Sequence, residues 1–263
     1  MNIQEKRLEN TPIYYWICGK KDAESILFIH AAFADHTSFD EQVNYFSSNY
    51  HVITLDLIGH GKSLDTQKGD GIDKTADYIY KILIAEGIDK IHLAGVSLGA
   101  VLVQDFANKF PERVASLCCI GGYDINHFDP AMQKENSSQQ IKMMLKALIS
   151  IKWFSESNKK ISAISLAAQE NFYQMNIRFK KSSFRYLAGL SNLVNQSQAK
   201  PRIYPLFVGC GAQDIPMAIE VCKQWHTYEP ESKLVIFENA GHLVNMDTPE
   251  AFNKILEKHL IEK

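Results

Sequence analysis

Residues 91–100 read IHLAGVSLGA, and this stretch decides how the rest of the chain is interpreted. The apolar residues up to Val96 are typical of a buried β-strand, and those that follow Gly99 are typical of a buried helix. The helix should end before Pro111, because a proline disfavours helical geometry in the residue before it. The pattern therefore predicts that Ser97 lies in a sharp turn between a strand and a helix.

A serine in such a turn is well placed to act as a nucleophile. Glycines two residues on either side of Ser97 keep side chains out of the bend, so the hydroxyl is exposed at the end of the sheet. The start of the next helix offers unpaired N–H groups and a positive dipole end, which favour developing negative charge. Gly-x-Ser-x-Gly also occurs by chance in loops, but a preceding strand and a following helix are the context that the catalytic motif requires.

Length and composition restrict the class of protein. With 263 residues, 46% of them hydrophobic, the chain can bury one substantial core. A formal net charge of −2 disfavours a non-specific nucleic-acid binder, which needs a basic surface. The polar start and the lack of an apolar run near the roughly 20 residues that span a bilayer lead us to expect a cytoplasmic protein with no membrane partner. Five cysteines without a C-x-x-C pair argue against a disulfide framework and a zinc site.

Strands and helices alternate along most of the chain. Residues 6–18 alternate weakly, which suggests an N-terminal hairpin at a sheet edge. Continuous apolar runs predict buried strands at residues 25–29, 51–55, 91–96, 114–120, 202–208 and 233–237. Helical periodicities lie between these runs, and a capped start at Asp247-Thr248-Pro249-Glu250 predicts a last helix. This order implies an α/β fold with a doubly wound, mostly parallel sheet.

The alternation stops between residues 124 and 200, where helical periodicities occur without a clear strand. We therefore predict one core, formed by residues 1–123 and 201–263, with a helical cap formed by residues 124–200. A cap inserted after the carboxyl end of a strand would lie over Ser97. Residues 125–200 hold eleven Lys or Arg against four Asp or Glu. This basic character indicates either recruitment of an anionic ligand or solvated, Lys-rich helix faces.

Two later strands are followed by an acid and a base. Asp214 comes after the strand predicted at 202–208, and His242 comes after the last predicted strand. Both should project from the same end of the sheet as Ser97, where open α/β sheets bind their ligands. The chain order Ser, Asp, His is that of the α/β-hydrolase superfamily, which the sequence resembles over nearly its whole length.

Five motifs carry this resemblance, in the order that the family has them. They are HAA at 30–32 for the oxyanion loop, DLIGHGKS at 56–63 for the Asp-x-Pro-Gly-x-Gly-x-Ser turn, GVSLG at 95–99 for the nucleophile elbow, GAQD at 211–214 for the acid loop and GH at 241–242 for the histidine loop. Ala31 stands where the family usually has glycine, and Ile58 where it often has proline. The β-carbon of Ala31 could shift the amide of Ala32.

The resemblance implies a triad of Ser97, His242 and Asp214 that transfers an acyl group through an acyl-enzyme, without a metal or an organic cofactor. It implies that His242 accepts the Ser97 proton and that Asp214 orients the imidazole. It also implies that the backbone N–H groups of Leu98 and Ala32 hold the oxyanion. The corresponding family members are carboxylesterase-like serine hydrolases, and we expect a small ester or thioester substrate with an apolar part.

Several other residues near these motifs call for an interpretation. Phe33, in the loop that carries Ala32, is predicted to contact the substrate. Asp124 is an alternative to Asp214 as the acid, since some family members place the acid after the preceding strand. His30, Asp56 and His60 are interpreted as structural residues of their loops.

Two kinds of alternative function stay open from the sequence. A C–C bond hydrolase, a lactonase or a peptidase would use the same triad. A cap-gated small-molecule sensor or partner-binding protein would keep the fold while signalling through the cap, and the basic cap and Ala31 motivate this second alternative. The oligomeric state is left open.

Overall fold

The structure is a computed structural model, and it describes residues 2–65, 69–128, 145–147, 149–196 and 201–261. Within these residues the strands form one eight-stranded sheet with the order β1-β2-β4-β3-β5-β6-β7-β8. The strands are β1 (Gln4–Arg7), β2 (Tyr14–Gly19), β3 (Ser25–Ile29), β4 (His51–Leu55), β5 (Ile91–Val96), β6 (Val114–Ile120), β7 (Leu206–Gly211) and β8 (Lys233–Phe237).

The pairing of these strands confirms the predicted sheet. Strands β1 and β2 form the antiparallel hairpin at the sheet edge, and β2 pairs antiparallel with β4. The ladder from β4 through β3, β5, β6 and β7 to β8 is parallel throughout. The strand predicted at 202–208 begins only at Leu206, because Pro205 has no N–H group to contribute to the ladder.

Helices cover both faces of the sheet. They are α1 (Asp40–Phe46), α2 (Thr75–Glu86), α3 (Leu98–Lys109), α4 (Ile151–Ser162), α5 (Leu166–Arg178), α6 (Phe184–Leu187), α7 (Leu190–Gln196), α8 (Pro216–Tyr228), α9 (Val244–Asp247) and α10 (Pro249–Ile261). Helix α10 begins at Pro249, as the capped start predicted. No helix among the described residues is both long and apolar enough to cross a membrane.

Helices α4 to α7 lie within the predicted cap, whose other described residues include 124–128, 145–147 and 149–150. They lie between β6 and β7 in the chain, and the described residues of this interval contain no strand. Residues 129–144, 148 and 197–200 of the predicted cap lie outside the described residues.

Two apolar cores lie on opposite faces of the sheet. Successive residues of β3 alternate between them: Leu27 and Ile29 belong to the core shared with α2, α3 and α8. Ile26 and Phe28 belong to the core shared with α1, α10 and the cap helix α5. Burial on both faces explains why the central strands have continuous apolar sequences rather than alternating apolar and polar residues.

The start of α3 packs against the end of β3 with no room for a side chain. A β-carbon added at Gly99 would overlap the carbonyl oxygen of Ile29, and one added at Gly95 would overlap the carbonyl group of Gly99. The two glycines that flank Ser97 are therefore required by backbone packing as well as by the turn itself.

We expect Gly99→Ala to destabilise the protein by about 3 kcal/mol, because the new methyl group has to displace the backbone of β3. Gly87→Ala is the matched control: Gly87 also has a constrained backbone, with φ of 69°, but no atom lies within 4 Å of its added β-carbon. Its cost should be only the left-handed strain of about 1–2 kcal/mol. Urea unfolding measures both values, and equal costs would contradict the packing argument.

Candidate active site

Ser97 occupies the predicted turn between β5 and α3. Its φ of 55° and ψ of −115° lie in a region that side-chain-bearing residues rarely adopt, at a cost of about 1–3 kcal/mol. The N–H group of Ser97 donates to the carbonyl oxygen of Ile120 at 2.7 Å, which ties the turn to the end of β6. The packing of the flanking glycines and this hydrogen bond together hold the strained serine at the carboxyl edge of the sheet.

His242 and Asp214 form a hydrogen-bonded pair at the same edge. His242 Nδ1 lies 2.8 Å from Asp214 Oδ2, and Asp214 Oδ1 accepts the N–H group of Ile215 at 2.7 Å. The Asp214 side chain is 1% exposed, whereas that of His242 is 23% exposed. Because a carboxylate only accepts hydrogen bonds, Nδ1 carries the proton and Nε2 is left free to accept one.

Two opposing effects act on the pKa of His242. Burial of the imidazole disfavours its charged form, while the hydrogen bond to Asp214 and the charge of Asp214 favour it. The carboxylate outweighs burial, so the pKa of His242 is raised above its ordinary value. Asp214 therefore makes His242 a stronger base than an isolated imidazole.

Gly121 provides the space in which the His242 ring lies. It follows β6 with φ of 61°, and a β-carbon added there would lie 3.1 Å from both Cε1 and Nδ1 of His242. No role for Gly121 was predicted from the sequence. In the sequence, the glycine pair that directly follows a central strand was the signal that could have indicated it.

The predicted triad lines one cavity of about 190 Å³. Ser97, Asp214 and His242 share it with the loop after β3 and with helices of the cap. The other described lining residues are Ala31, Ala32, Phe33, Asn158, Ile161, Ser162, Phe172, Ile215 and Leu243. The fold thus brings together side chains that are more than a hundred positions apart in the chain.

Of the two residues with predicted oxyanion donors, Ala32 lines the cavity and Leu98 directly follows Ser97 in the chain. Leu98 is the first residue of α3, and Ala32 belongs to the loop after β3. Neither N–H group donates to another group in the described part of the chain. The neighbouring Ala31 is 4% exposed, and its carbonyl oxygen accepts from His30 Nδ1 at 2.7 Å. The methyl group of Ala31 packs in the core, so alanine fits here in place of the family's glycine.

Phe33 lines the cavity and also joins the loop to the cap. Its φ is 67°, and its carbonyl oxygen accepts from Asn176 Nδ2 at 3.2 Å. Its ring packs within about 5–6 Å, centroid to centroid, of three cap rings, those of Phe154, Phe179 and Phe184. Contact of Phe33 with a substrate stays a prediction.

His30, Asp56 and His60 make hydrogen bonds within or between their loops rather than lining the cavity. His30 is fully buried, and its Nε2 accepts the N–H group of Leu57 at 3.0 Å. Asp56 accepts the N–H group of Lys62 at 2.6 Å. Burial, with a smaller contribution from the neighbouring His30, lowers the pKa of His60 to about 3, so His60 is neutral at physiological pH. None of the three is among the described residues that line the cavity.

Asp124, the alternative acid, has other partners. Its Oδ1 accepts from Arg202 Nη2 at 2.8 Å, and its Oδ2 lies 2.7 Å from His127 Nδ1. Asp214, not Asp124, therefore contacts His242. Within the described parts of the chain, no group of three or more His, Cys, Asp or Glu side chains could hold a metal ion.

Known proteins resemble this chain in sequence and in structure. Residues 24–145 match the family described as alpha/beta hydrolase fold. The chain is 24% identical over 260 residues to an (E)-2-((N-methylformamido)methylene)succinate hydrolase from Acinetobacter baylyi, with 95% of each chain covered. It is 22% identical over 225 residues to a putative carbamate hydrolase RutD from Cronobacter sakazakii, with 82% of each covered.

A solved structure also resembles this chain. A thermophilic esterase from Thermogutta terrifontis has a TM-score of 0.80 to this chain at 19% identity, covering 99% of this chain and 98% of the esterase. The family match over residues 24–145, the strand order and this structural likeness agree: the chain has the α/β-hydrolase fold.

Proposed function

We propose that this protein is a serine hydrolase that cleaves small, uncharged esters or thioesters through an acyl-enzyme intermediate on Ser97. The observation that carries the proposal is the shared cavity: the strained Ser97 lines it together with a His242–Asp214 pair joined at 2.8 Å. A solvent-facing serine in a strained conformation has a cost, and a catalytic role accounts for that cost. The named relatives are hydrolases, which supports hydrolysis over a binding role.

In the proposed reaction His242 Nε2 takes the proton of the Ser97 hydroxyl as its oxygen attacks the carbonyl carbon of the substrate. The same proton then passes to the leaving alcohol or thiol, and the acyl group stays on Ser97. Water, activated by His242, next attacks the acyl-enzyme and releases the acid, which restores the free serine. Asp214 keeps the imidazole in the required tautomer and stabilises its cationic form.

The backbone would stabilise the tetrahedral intermediate. We assign the N–H groups of Leu98 and Ala32 as the donors to the oxyanion, because Leu98 follows Ser97 in the chain and Ala32 lines the cavity with Ser97. Neither N–H group donates to another group in the described part of the chain. Each preorganised donor of this kind contributes about 3–4 kcal/mol to transition-state stabilisation. The positive end of the α3 dipole acts in the same direction.

The cavity walls indicate the substrate class. A volume of about 190 Å³ suits a small molecule. The polar lining residues from the cap are Asn158 and Ser162, and the described lining includes no Lys or Arg. Its apolar members include Ile161, Phe172, Ile215 and Leu243. A substrate with an uncharged, partly apolar acyl or alcohol group fits these walls.

The basic residues of the cap do not contribute to the cavity in the described part of the chain. Lys152, Lys160, Lys180 and Lys181 are exposed, and Arg178 pairs with Asp35. Their arrangement supports solvated helix faces rather than recruitment of an anionic substrate.

We expect a fluorophosphonate probe to add once to the wild-type protein and not to Ser97→Ala or His242→Ala, as measured by intact mass. Hydrolysis of p-nitrophenyl acetate by Ser97→Ala should fall about 10⁴-fold or more, because the nucleophile is lost. Ser48→Ala, which removes an exposed serine hydroxyl, is the matched control and should behave as wild type.

Two results would contradict the proposal. Unchanged ester hydrolysis by Ser97→Ala would place the chemistry elsewhere. A folded wild-type protein that takes no probe, and that ligands stabilise without turnover, would instead favour the sensor alternative.

The raised pKa of His242 predicts the pH dependence of activity. Because His242 must be neutral to accept the serine proton, kcat/KM should fall on acidification with a midpoint above 6.5. Asp214→Asn removes the group that raises this pKa, so burial then dominates and the midpoint should move to lower pH, while kcat falls about 10⁴-fold. NMR titration of the His242 ring provides the same midpoint independently of turnover.

Asp124→Asn tests the alternative acid in the same assays. It should leave the midpoint unchanged, although it costs stability because the buried Arg202 loses a carboxylate partner. A shift of the midpoint in Asp124→Asn, with none in Asp214→Asn, would reverse the assignment of the acid.

The walls of the cavity predict a preference for neutral acyl groups. Two esters with acyl chains of matched length, p-nitrophenyl butyrate and mono-p-nitrophenyl succinate, differ by a terminal carboxylate. We expect kcat/KM to be at least about tenfold higher for the butyrate, because the described walls offer no Lys or Arg to a buried carboxylate and His242 is neutral in the active form. A preference for the succinate that disappears at high salt would show instead that the basic cap recruits anions.

A further inference from the structure

A carboxylate outside the triad is bonded to two segments that meet at the cavity. Asp247 Oδ1 accepts the N–H group of Ser165 at 2.8 Å, and the N–H group of Ile164 is shared between Oδ1 at 2.9 Å and Oδ2 at 3.0 Å. Asp247 Oδ2 accepts the N–H group of Gly241 at 2.9 Å. The first two donors belong to the cap turn, which we define as residues 162–165, from the last residue of α4 to the residue before α5. The third donor immediately precedes His242.

A second bond joins the same two segments without Asp247. The N–H group of Leu243 donates to the carbonyl oxygen of Ser162 at 2.9 Å. The residues on both sides of His242 are therefore attached to the cap turn, Leu243 directly and Gly241 through Asp247. The contact is close, since a β-carbon added at Gly241 would lie 3.3 Å from the Ser162 carbonyl oxygen and 3.4 Å from Asp247 Oδ2.

These attachments connect a wall of the cavity to the proposed general base. Ser162 of the cap turn and Leu243 beside the histidine both line the cavity that contains Ser97. A carboxylate that accepts backbone N–H groups makes stronger hydrogen bonds than a neutral acceptor does. Both Asp247 oxygens are used, one mainly for the cap and the other for the histidine loop.

We infer that Asp247 is a positioning residue that couples the cap turn to the His242 loop, so that the cavity wall and the general base are held as one unit. Asp247 is not among the described residues that line the cavity, so it acts through its three backbone donors rather than by touching the substrate. The catalytic part of this inference rests on the proposed role of His242 as the base.

The sequence motif at this position has a second use. Asp247-Thr248-Pro249-Glu250 predicts a helix start, and α10 does begin at Pro249. The Asp247 side chain, however, accepts hydrogen bonds from residues 164, 165 and 241. Capping of α10 therefore does not account for the acidic side chain at position 247.

Asp247→Asn weakens the hydrogen bonds of Asp247 to the cap turn or to Gly241 with little change in the shape of the side chain. A carboxamide has one acceptor oxygen, and its NH₂ group faces an N–H donor on the other side. Either the Ser165 bond or the Gly241 bond is therefore lost, whichever way the amide is oriented, while Ile164 keeps an acceptor oxygen. Glu250→Gln is the matched control, since it removes one negative charge from an exposed side chain three residues away.

The first readout is amide hydrogen exchange of the whole chain without substrate. In Asp247→Asn we expect the amides of Gly241, Ile164 and Ser165 to exchange at least about tenfold faster than in wild type, all three together. Glu250→Gln should leave them unchanged. Because exchange does not depend on turnover, this result stands or fails separately from the serine-hydrolase proposal.

The second readout separates catalysis from binding. We expect Asp247→Asn to lower kcat for p-nitrophenyl acetate about tenfold and to raise KM, because both the base and the cavity wall become less well placed. A role confined to the cap would raise KM alone. Faster exchange in the cap turn with an unchanged Gly241 amide, or an unchanged kcat, would overturn the inference.

If Asp247→Asn does not fold, Asp247→Glu provides a second test of the coupling. It retains the charge and both acceptor oxygens but displaces them by one methylene. The amides of Gly241, Ile164 and Ser165 should again change together, with kcat between those of wild type and Asp247→Asn. If the exchange rates in the cap turn and at Gly241 changed independently of each other, the coupling would be overturned.

Discussion

The close backbone contact between the start of α3 and the end of β3 is the constraint on which the site depends. Gly99 lies so near the Ile29 carbonyl oxygen that no side chain fits between them, and Gly95 meets the Gly99 backbone in the same way. This packing forces the chain from strand to helix within one residue and holds Ser97 at a positive φ. It also directs the amino end of α3 toward the carboxyl edge of the sheet, where negative charge would develop.

The parallel sheet brings the other two residues of the proposed triad to that edge. Strands β7 and β8 continue the parallel ladder beyond β6, and the loops that carry Asp214 and His242 open onto the same cavity as Ser97. Burial of a carboxylate is unfavourable unless it is paired. Asp214 satisfies this condition through His242 and the N–H group of Ile215, and the pairing raises the pKa of His242. The absent side chain of Gly121 leaves room for the ring.

The cap is attached to the core at the two loops that matter for the proposed chemistry. Asn176 of α5 donates to the carbonyl oxygen of Phe33 in the proposed oxyanion loop, and Asp247 joins the cap turn to the loop of His242. Helices that form the cavity wall are thus hydrogen-bonded to segments that carry a proposed donor and the proposed base. Changes in the cap that alter substrate choice are therefore expected to alter catalytic rate as well.

The sequence by itself determined the features that local patterns encode: the elbow around Ser97, the buried strands, the helix that begins at Pro249 and the chain order of Ser97, Asp214 and His242. Tertiary structure alone decided that Asp124 pairs with Arg202, that Gly121 makes room for the His242 ring, and that Asp247 links the cap to the core. These contacts join groups far apart in the chain; Asp247 and Ile164 are 83 positions apart. Periodicity and turn chemistry reflect neighbours within a few residues, so pairings over such distances leave no local pattern.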